Sequence, residues 1–274
     1  MPKKISAVIL NYKHPLDTIK CIKSLKKSDL GKTVDYYIVD NSPTEKVEKQ
    51  FKQEFPSAVY ISSPSNPGFA GGNNLAIRQA LKAGSEYVLI INPDVVVGQD
   101  FFSPLIRNFS DKKVGVVAPA ILHSQKGEKM YGLEGKVDWH LAKPEHINSK
   151  SIKDPKPKEA EFVTFACVLI SRDAFEKAGL LDEGYFMYYE DVDYCLSVAR
   201  AGKKIILDPS VVVSHESSSS FSRPTDKLWI SFKSNFRFIN KWLSPENRII
   251  PYLYALVNYP YLYLLWTYHE WKYR

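Results

Sequence analysis

The chain has 274 residues, 45% hydrophobic and 24% charged, with a formal net charge of +7. That composition excludes a disordered or fibrous chain, and the length suits one large α/β domain with an appendage. The positive balance points to an anionic partner such as a phosphate group or a membrane surface; the lysines are spread along the chain, so no nucleic acid is expected.

Ile5 to Asn11 reads as a buried first strand. Leu16, Ile19, Ile22 and Leu25 recur every three residues and predict an amphipathic helix ending before Gly31. A second strand is predicted over Val34 to Asp40, a helix over 45–54 and a short strand over 58–62. The segment Asn66-Pro67-Gly68-Phe69-Ala70-Gly71-Gly72-Asn73-Asn74 then opens a third helix. Tyr87 to Ile91 is a continuous apolar run, the pattern of a strand buried on both faces. Pro93 ends it, because proline cannot donate to a ladder. Asp94 is thereby delivered to the carboxyl end of a central strand, where open α/β sheets bind ligands. Strands alternating with helices predict a doubly wound, mostly parallel sheet.

A helix over 101–109 and a strand over 114–119 complete a first half, residues 1–119. Residues 124–158 are polar and proline-rich and read as a loop region, partly mobile, with at most a short hairpin. Phe162 to Ser171 reads as one strand, 172–178 as a helix closed by Gly179, and 190–201 as a helix closed by Gly202. Short strands at 204–207 and 211–214 suggest a small second sheet, giving a second half over 120–222. The rest, 223–274, is an aromatic helical segment.

Three cysteines, Cys21, Cys167 and Cys195, lack metal-ligand spacing and read as reduced thiols. The apolar run after Lys3-Lys4 is too short for a signal peptide, so a cytoplasmic protein is expected.

Three strand ends offer polar groups: Asn11, Asp40 and Asp94. Asp94 reads either as a turn residue or as a hard ligand for Mg²⁺ or Mn²⁺ bridging a diphosphate. Asp40 reads equally as a helix cap and as an acceptor for a base N–H or a ribose hydroxyl. The glycine-rich segment 66–74 suits phosphate or ribose at a helix N-terminus. It matches neither the dinucleotide fingerprint nor the ATP-binding P-loop. A second cluster, Leu180-Leu-Asp-Glu-Gly-Tyr-Phe-Met-Tyr-Tyr-Glu-Asp-Val-Asp193, sets carboxylates behind aromatics. They read as dipole partners of a helix or as a base whose pKa an apolar wall holds up. Tyr188 and Tyr189 suit the faces of a sugar ring. His215 follows the last strand and precedes a serine-rich stretch, 216–222, able to close over a site.

Ser6-Ala-Val-Ile-Leu-Asn-Tyr12, Val39-Asp-Asn-Ser42, the 66–74 segment, Asn92-Pro-Asp94 and Gly184-Tyr-Phe-Met-Tyr-Tyr-Glu-Asp-Val-Asp193 occur in that order. Together they resemble family 2 glycosyltransferases of the GT-A fold, particularly the bacterial rhamnosyltransferase-like branch, over residues 5–222. The resemblance implies a nucleotide-sugar site at Asn11, Asp40, Asn66, Gly68, Phe69, Asn73, Asn92 and Asp94. It implies a metal, Mg²⁺ or Mn²⁺, on Asp94 with His215 completing its shell. Glu190-Asp191 would supply the catalytic base, usually through the Asp, and Tyr188 and Tyr189 would face the acceptor.

The implied reaction is inverting transfer from a dTDP- or UDP-sugar, rhamnose favoured, to a saccharide or polyprenyl-linked acceptor in cell-surface polysaccharide synthesis. Asn92 stands where many relatives have Asp. Ser197 stands where many have Arg, with Arg200 as a candidate replacement. No Gln-x-x-Arg-Trp motif occurs, so non-processive transfer is expected. The alternatives are a sugar nucleotidyltransferase, disfavoured because Asn11 to Pro15 lacks glycine, and an inactive nucleotide-sugar-binding relative.

Residues 249–268 carry no formal charge and include six tyrosines, with Pro251, Asn258 and Pro260 interrupting them. Lys233, Arg237, Lys241 and Arg248 flank them on one side and Lys272 and Arg274 on the other. This reads first as a helix lying on anionic lipid, making the protein peripheral on the inner face of the membrane. Packing against the catalytic domain or a second subunit of a homodimer comes next, and a true span last.

Overall fold

A computed structural model of the chain describes residues 4–125, 127–215 and 224–272. The serine-rich stretch 216–222, Lys3 and Arg274 lie outside the described residues, as does the side chain of Lys272.

The first half alternates strand and helix: β1 (Ile5–Asn11), α1 (Pro15–Lys27), β2 (Asp35–Asp40), α2 (Glu45–Glu54), β3 (Val59–Ser62), α3 (Gly68–Lys82) and β4 (Tyr87–Ile91). β1 lies between β2 and β4, parallel to both, in a register that sets Asn11 beside Asp40 and Ile9 beside Ile91. Every residue of β4 is buried. Its alternate side chains serve opposite faces of the sheet: Leu89 and Ile91 join Ile22, Leu25 and Phe51 below α1 and α2, while Val88 and Ile90 join Ala76 and Ile77 of α3. Two-sided burial is why the run has no polar alternation, and each such side chain contributes about 1.5–3 kcal/mol.

The short β5 (Val95–Val96) and α4 (Phe102–Arg107) lead into the second half. There follow β6 (Val114–Gln125), β7 (Glu128–Asp138), β8 (Lys143–Ser149), β9 (Lys158–Glu159), β10 (Phe162–Val163), β11 (Cys167–Ser171), α5 (Arg172–Ala178), α6 (Glu190–Arg200) and β12 (Lys204–His215). The strands form one sheet in the order β10-β7-β6-β11-β4-β1-β2-β3, with β12 beside β6. The strands expected of a smaller second sheet are therefore hydrogen-bonded into the first.

Three local expectations differ from the structure. Residues 124–158, expected to be loop with at most a short hairpin, contain a long ordered one, β7–β8, with strands of 11 and 7 residues. Most of its side chains are partly exposed, so hydrophobic patterning is weak, and pairing with β6 and β10 supplies the order. β6 continues past Pro119 and β12 past Pro209. Pro119 faces Asp208 where the β6–β12 register shifts, and an irregularity of this kind tolerates a missing N–H. Finally, Phe162 to Ser171 is not one strand: it divides into β10 and β11, which pair with different neighbours.

Two helices close the described chain, α7 (Pro224–Trp242) and α8 (Ile249–Lys272). α8 runs unbroken through both prolines. Pro251 lies in its first turn, where the N–H has no intrahelical partner to lose. No helix among the described residues is long and apolar enough to cross a membrane. The three cysteines are buried and unbridged.

Candidate active site

The central strand ends in a tight turn, with Asn92 N–H donating to the Ala166 carbonyl (2.8 Å) and Val95 N–H to the Asn92 carbonyl (3.2 Å). β5 emerges from that turn and pairs antiparallel with the end of β12, matching His215 to Val95. That pairing brings His215 Nε2 to 3.0 Å from Asp94 Oδ1. Two residues far apart in sequence thus meet through a two-residue strand pair.

Both lie in a cleft of about 880 Å³. Of the predicted residues, Asn66, Gly68, Phe69, Asn92, Asp94, Tyr188, Tyr189, Glu190, Asp191 and His215 line it. Asn11, Asp40 and Asn73 do not; they are buried, at 1%, 0% and 1% exposure. Asp40 accepts from Asn11 Nδ2 (2.9 Å), the Ser42 N–H (3.0 Å) and the Tyr60 hydroxyl (3.0 Å). Asn11 Oδ1 accepts in turn from the Thr18 hydroxyl. In this structure the pair joins the ends of β1 and β2, and neighbouring Asn41 reaches the cleft instead.

The glycine-rich segment does not precede its helix but forms it. α3 starts at Gly68, so Asn73 sits inside the helix and donates to the Phe69 carbonyl (2.9 Å). Gly68 has φ +77°, and a Cβ there would strike the Phe186 carbonyl oxygen. The Phe69 N–H donates to that same oxygen at 2.7 Å. The backbone of this segment therefore holds the acidic loop.

That loop carries local strain. Tyr188 and Tyr189 are consecutive left-handed residues, φ 67° and 71°, a conformation costing on the order of 1–3 kcal/mol each for side chains of this size. α7 offsets the cost: Ser234 Oγ donates to the Met187 carbonyl (2.8 Å) and Asn235 Nδ2 to the Tyr189 hydroxyl (2.9 Å). Two carboxylates of the cluster are occupied by the same helix. Asp182 accepts from Arg237 and Lys241. Burial alone would raise its pKa, but these donors bring it down to about 2. Asp193, nearly fully buried, accepts from Lys241 Nζ (2.8 Å), Trp242 Nε1 (2.8 Å) and the Tyr185 hydroxyl (3.1 Å).

Glu190 and Asp191 are placed differently. Glu190 is buried, and among the described residues its Oε2 has no hydrogen-bond partner. Burial, then the charge of Asp191, pushes its pKa up to about 8. Burial raises the Asp191 carboxyl too, opposed by the charge of His146 and by backbone N–H groups, among them that of Val192 at 2.8 Å. The pair accordingly favours one shared proton over two charges.

Sequence reading missed several lining residues. His146, beside Asp191, sits on β8, in the stretch read as loop. Lys13 and His14 come from the β1–α1 loop, and Tyr254, Asn258, Leu262 and Trp266 from α8. The spacing of four along α8 is a signal the sequence did contain. Arg200 does not reach the cleft; its guanidinium lies 4.2 Å over the Trp242 ring. Among the described residues no group of three or more His, Cys, Asp or Glu gathers as a metal site.

Residues 6–179, well over half the chain, match the family described as Glycosyl transferase family 2. The chain belongs to that family. This glycosyltransferase is 27% identical to the low-salt glycan biosynthesis hexosyltransferase Agl10 of Haloferax volcanii, over 90% of this chain and 79% of that one. It is 26% identical to the N-acetylglucosaminyl-diphospho-decaprenol L-rhamnosyltransferase of Mycobacterium tuberculosis, over 75% of this chain and 74% of the relative. Its fold matches GalNAc-T7, solved with UDP, GalNAc and Mn²⁺, at a TM-score of 0.69 and 16% identity. The match covers 89% of this chain and 48% of that structure, so the glycosyltransferase spans about half its length. The fold is GT-A.

Proposed function

We propose that this glycosyltransferase moves a sugar, with inversion, from a nucleoside diphosphate sugar to a hydroxyl of a saccharide or lipid-linked saccharide. The carrying observation is that one cleft holds the Asp94–His215 pair and the Glu190–Asp191 pair. Asp191 takes the proton of the acceptor hydroxyl as its oxygen forms a bond to the anomeric carbon. The bond from that carbon to the diphosphate breaks, and its electron pair leaves with the nucleoside diphosphate. Attack from the face opposite the leaving group inverts the centre, and one base suffices. Burial favours the protonated form of Glu190, and Asp191, whose carboxyl accepts the Val192 N–H, is the member assigned as ionised.

Asp94 and His215, 3.0 Å apart, are the residues that would hold Mg²⁺ or Mn²⁺. A carboxylate with an imidazole is a donor set that Mn²⁺ accepts, and two protein ligands suit an ion sharing its shell with phosphates and water. Bound there, the ion would neutralise charge on the departing diphosphate. A relative named a dTDP-rhamnosyl transferase supports a deoxythymidine diphosphate deoxysugar as donor, with UDP-sugars next, and the relative named an N-acetylglucosaminyl-diphospho-decaprenol L-rhamnosyltransferase supports a polyprenyl-linked acceptor.

A thermal-shift series of nucleoside diphosphate sugars with Mn²⁺ tests the donor, because a ligand of the native state raises the midpoint. A thymidine or uridine donor should give the largest shift; preference for a guanosine donor overturns the assignment. Asp94→Ala should abolish transfer while the unfolding midpoint without donor stays near that of the parent. Near-normal turnover in that variant would remove the metal role.

A further inference from the structure

α8 has two unlike faces. One turns inward: Tyr254, Asn258, Leu262 and Trp266 line the cleft, and Tyr252 and Tyr259 pack on Phe236 and Phe232 of α7. The other turns to solvent. Ile249 is 64% exposed, Leu253 60%, Val257 71%, Tyr261 60%, Leu264 68% and Tyr268 53%. Steps of three and four residues stack these on one side of the helix. No acidic or basic residue occurs between 249 and 268.

We propose that this outer face docks the glycosyltransferase on an anionic lipid bilayer, with α8 lying in the interface and the cleft opening beside the membrane surface. The mixture of aliphatic and tyrosine side chains is that of an interfacial helix, apolar for the acyl boundary and hydroxylated for the headgroups. The rim supplies charge: Trp229 of α7 is 58% exposed, and Lys233 Nζ lies 5.0 Å over its ring. Near anionic lipid such a lysine adds electrostatic attraction.

A second copy of the chain fits less well. Each copy carries a net +7, and two identical basic rims would face each other across a self-complementary interface. No helix among the described residues is long and apolar enough to cross a membrane. Because α8 also walls the cleft, docking would set the cleft beside lipid-borne material. The surface is read from α8 and α7 and stands whichever sugar is transferred.

The test is co-sedimentation of the full chain with phosphatidylglycerol–phosphatidylcholine vesicles and with phosphatidylcholine alone, at low and high salt. Binding should favour the anionic vesicles and weaken with salt. The double variant Val257→Glu, Leu264→Glu should bind at least about tenfold more weakly while donor hydrolysis and unfolding midpoint hold. Lys233→Gln, at the rim, should weaken binding by about fivefold, the equivalent of about 1 kcal/mol for one lysine near anionic lipid. The proposal is overturned if a donor-hydrolysing full chain stays in the supernatant with anionic vesicles at low salt. Vesicle binding undiminished in the double variant overturns it too. So does a parental dimer in sedimentation velocity that the double variant dissociates.

Discussion

The two walls of the cleft are built by opposite means. The wall carrying Asp94 rests on the ends of parallel strands whose polar groups satisfy one another: Asn11 on Asp40, Thr18 on Asn11, Tyr60 on Asp40. The wall carrying Glu190 and Asp191 is a loop with two left-handed tyrosines, kept in shape by a helix about fifty residues further along the chain. The difference teaches how one residue type takes two roles. Asp40 and Asp193 are buried carboxylates covered by donors, and they hold structure. Glu190 keeps a buried oxygen without a partner among the described residues, and its neighbour Asp191 lines the cleft.

The comparison breaks most sharply at Asp191. Asp191→Asn keeps the shape and removes the base, so turnover should fall about 10²–10⁴-fold while donor still shifts the unfolding midpoint. Donor affinity falling in step with turnover would make Asp191 a structural residue like Asp193.

A smaller effect is expected from Lys241→Met, which withdraws one donor from both Asp182 and Asp193. Removing a hydrogen bond to a buried charged group costs about 1–3 kcal/mol. For a chain of this size each kcal/mol lowers the midpoint by about 2–4 °C. If the loop depends on α7, kcat should fall in the same variant while donor affinity, set by the strand-end wall, stays. Equal losses in both would mean that the two walls are one cooperative unit.

The smallest effect sharpens the contrast between Glu190 and Asp193. A carboxyl whose folded pKa is raised stabilises the fold fully below its unfolded pKa and loses that contribution as pH rises toward the folded value. For Glu190 the window runs from the ordinary value of 4.5 to about 8. Glu190→Gln removes the titration, so its midpoint should match the parent near pH 4.5 and exceed it increasingly up to pH 8. A difference that stays flat across that window would mean Glu190 is charged in the native state.

Much of this was legible without coordinates. Tyr87 to Ile91 reads as a two-sided buried strand, and its stop at Pro93 delivers Asp94 to a strand end, because strand burial and proline chemistry are local. Helices α2 and α5 fall on their predicted residues, 45–54 and 172–178, for the same reason. Other features depended on partners distant in sequence. Asn11 and Asp40 have the residue types of ligand contacts, yet the register of β1 on β2 turns them toward each other. His146 has no pattern around it, since its strand is half exposed and exists by pairing with β7. The apolar stretch at 249–268 can be read from composition, but which of its faces walls the cleft and which meets solvent is fixed by its packing on α7. Sequence determines what a segment can form through backbone propensity and periodicity. Tertiary contacts decide which polar groups are left without partners, because satisfying a carboxylate requires donors brought in by other elements.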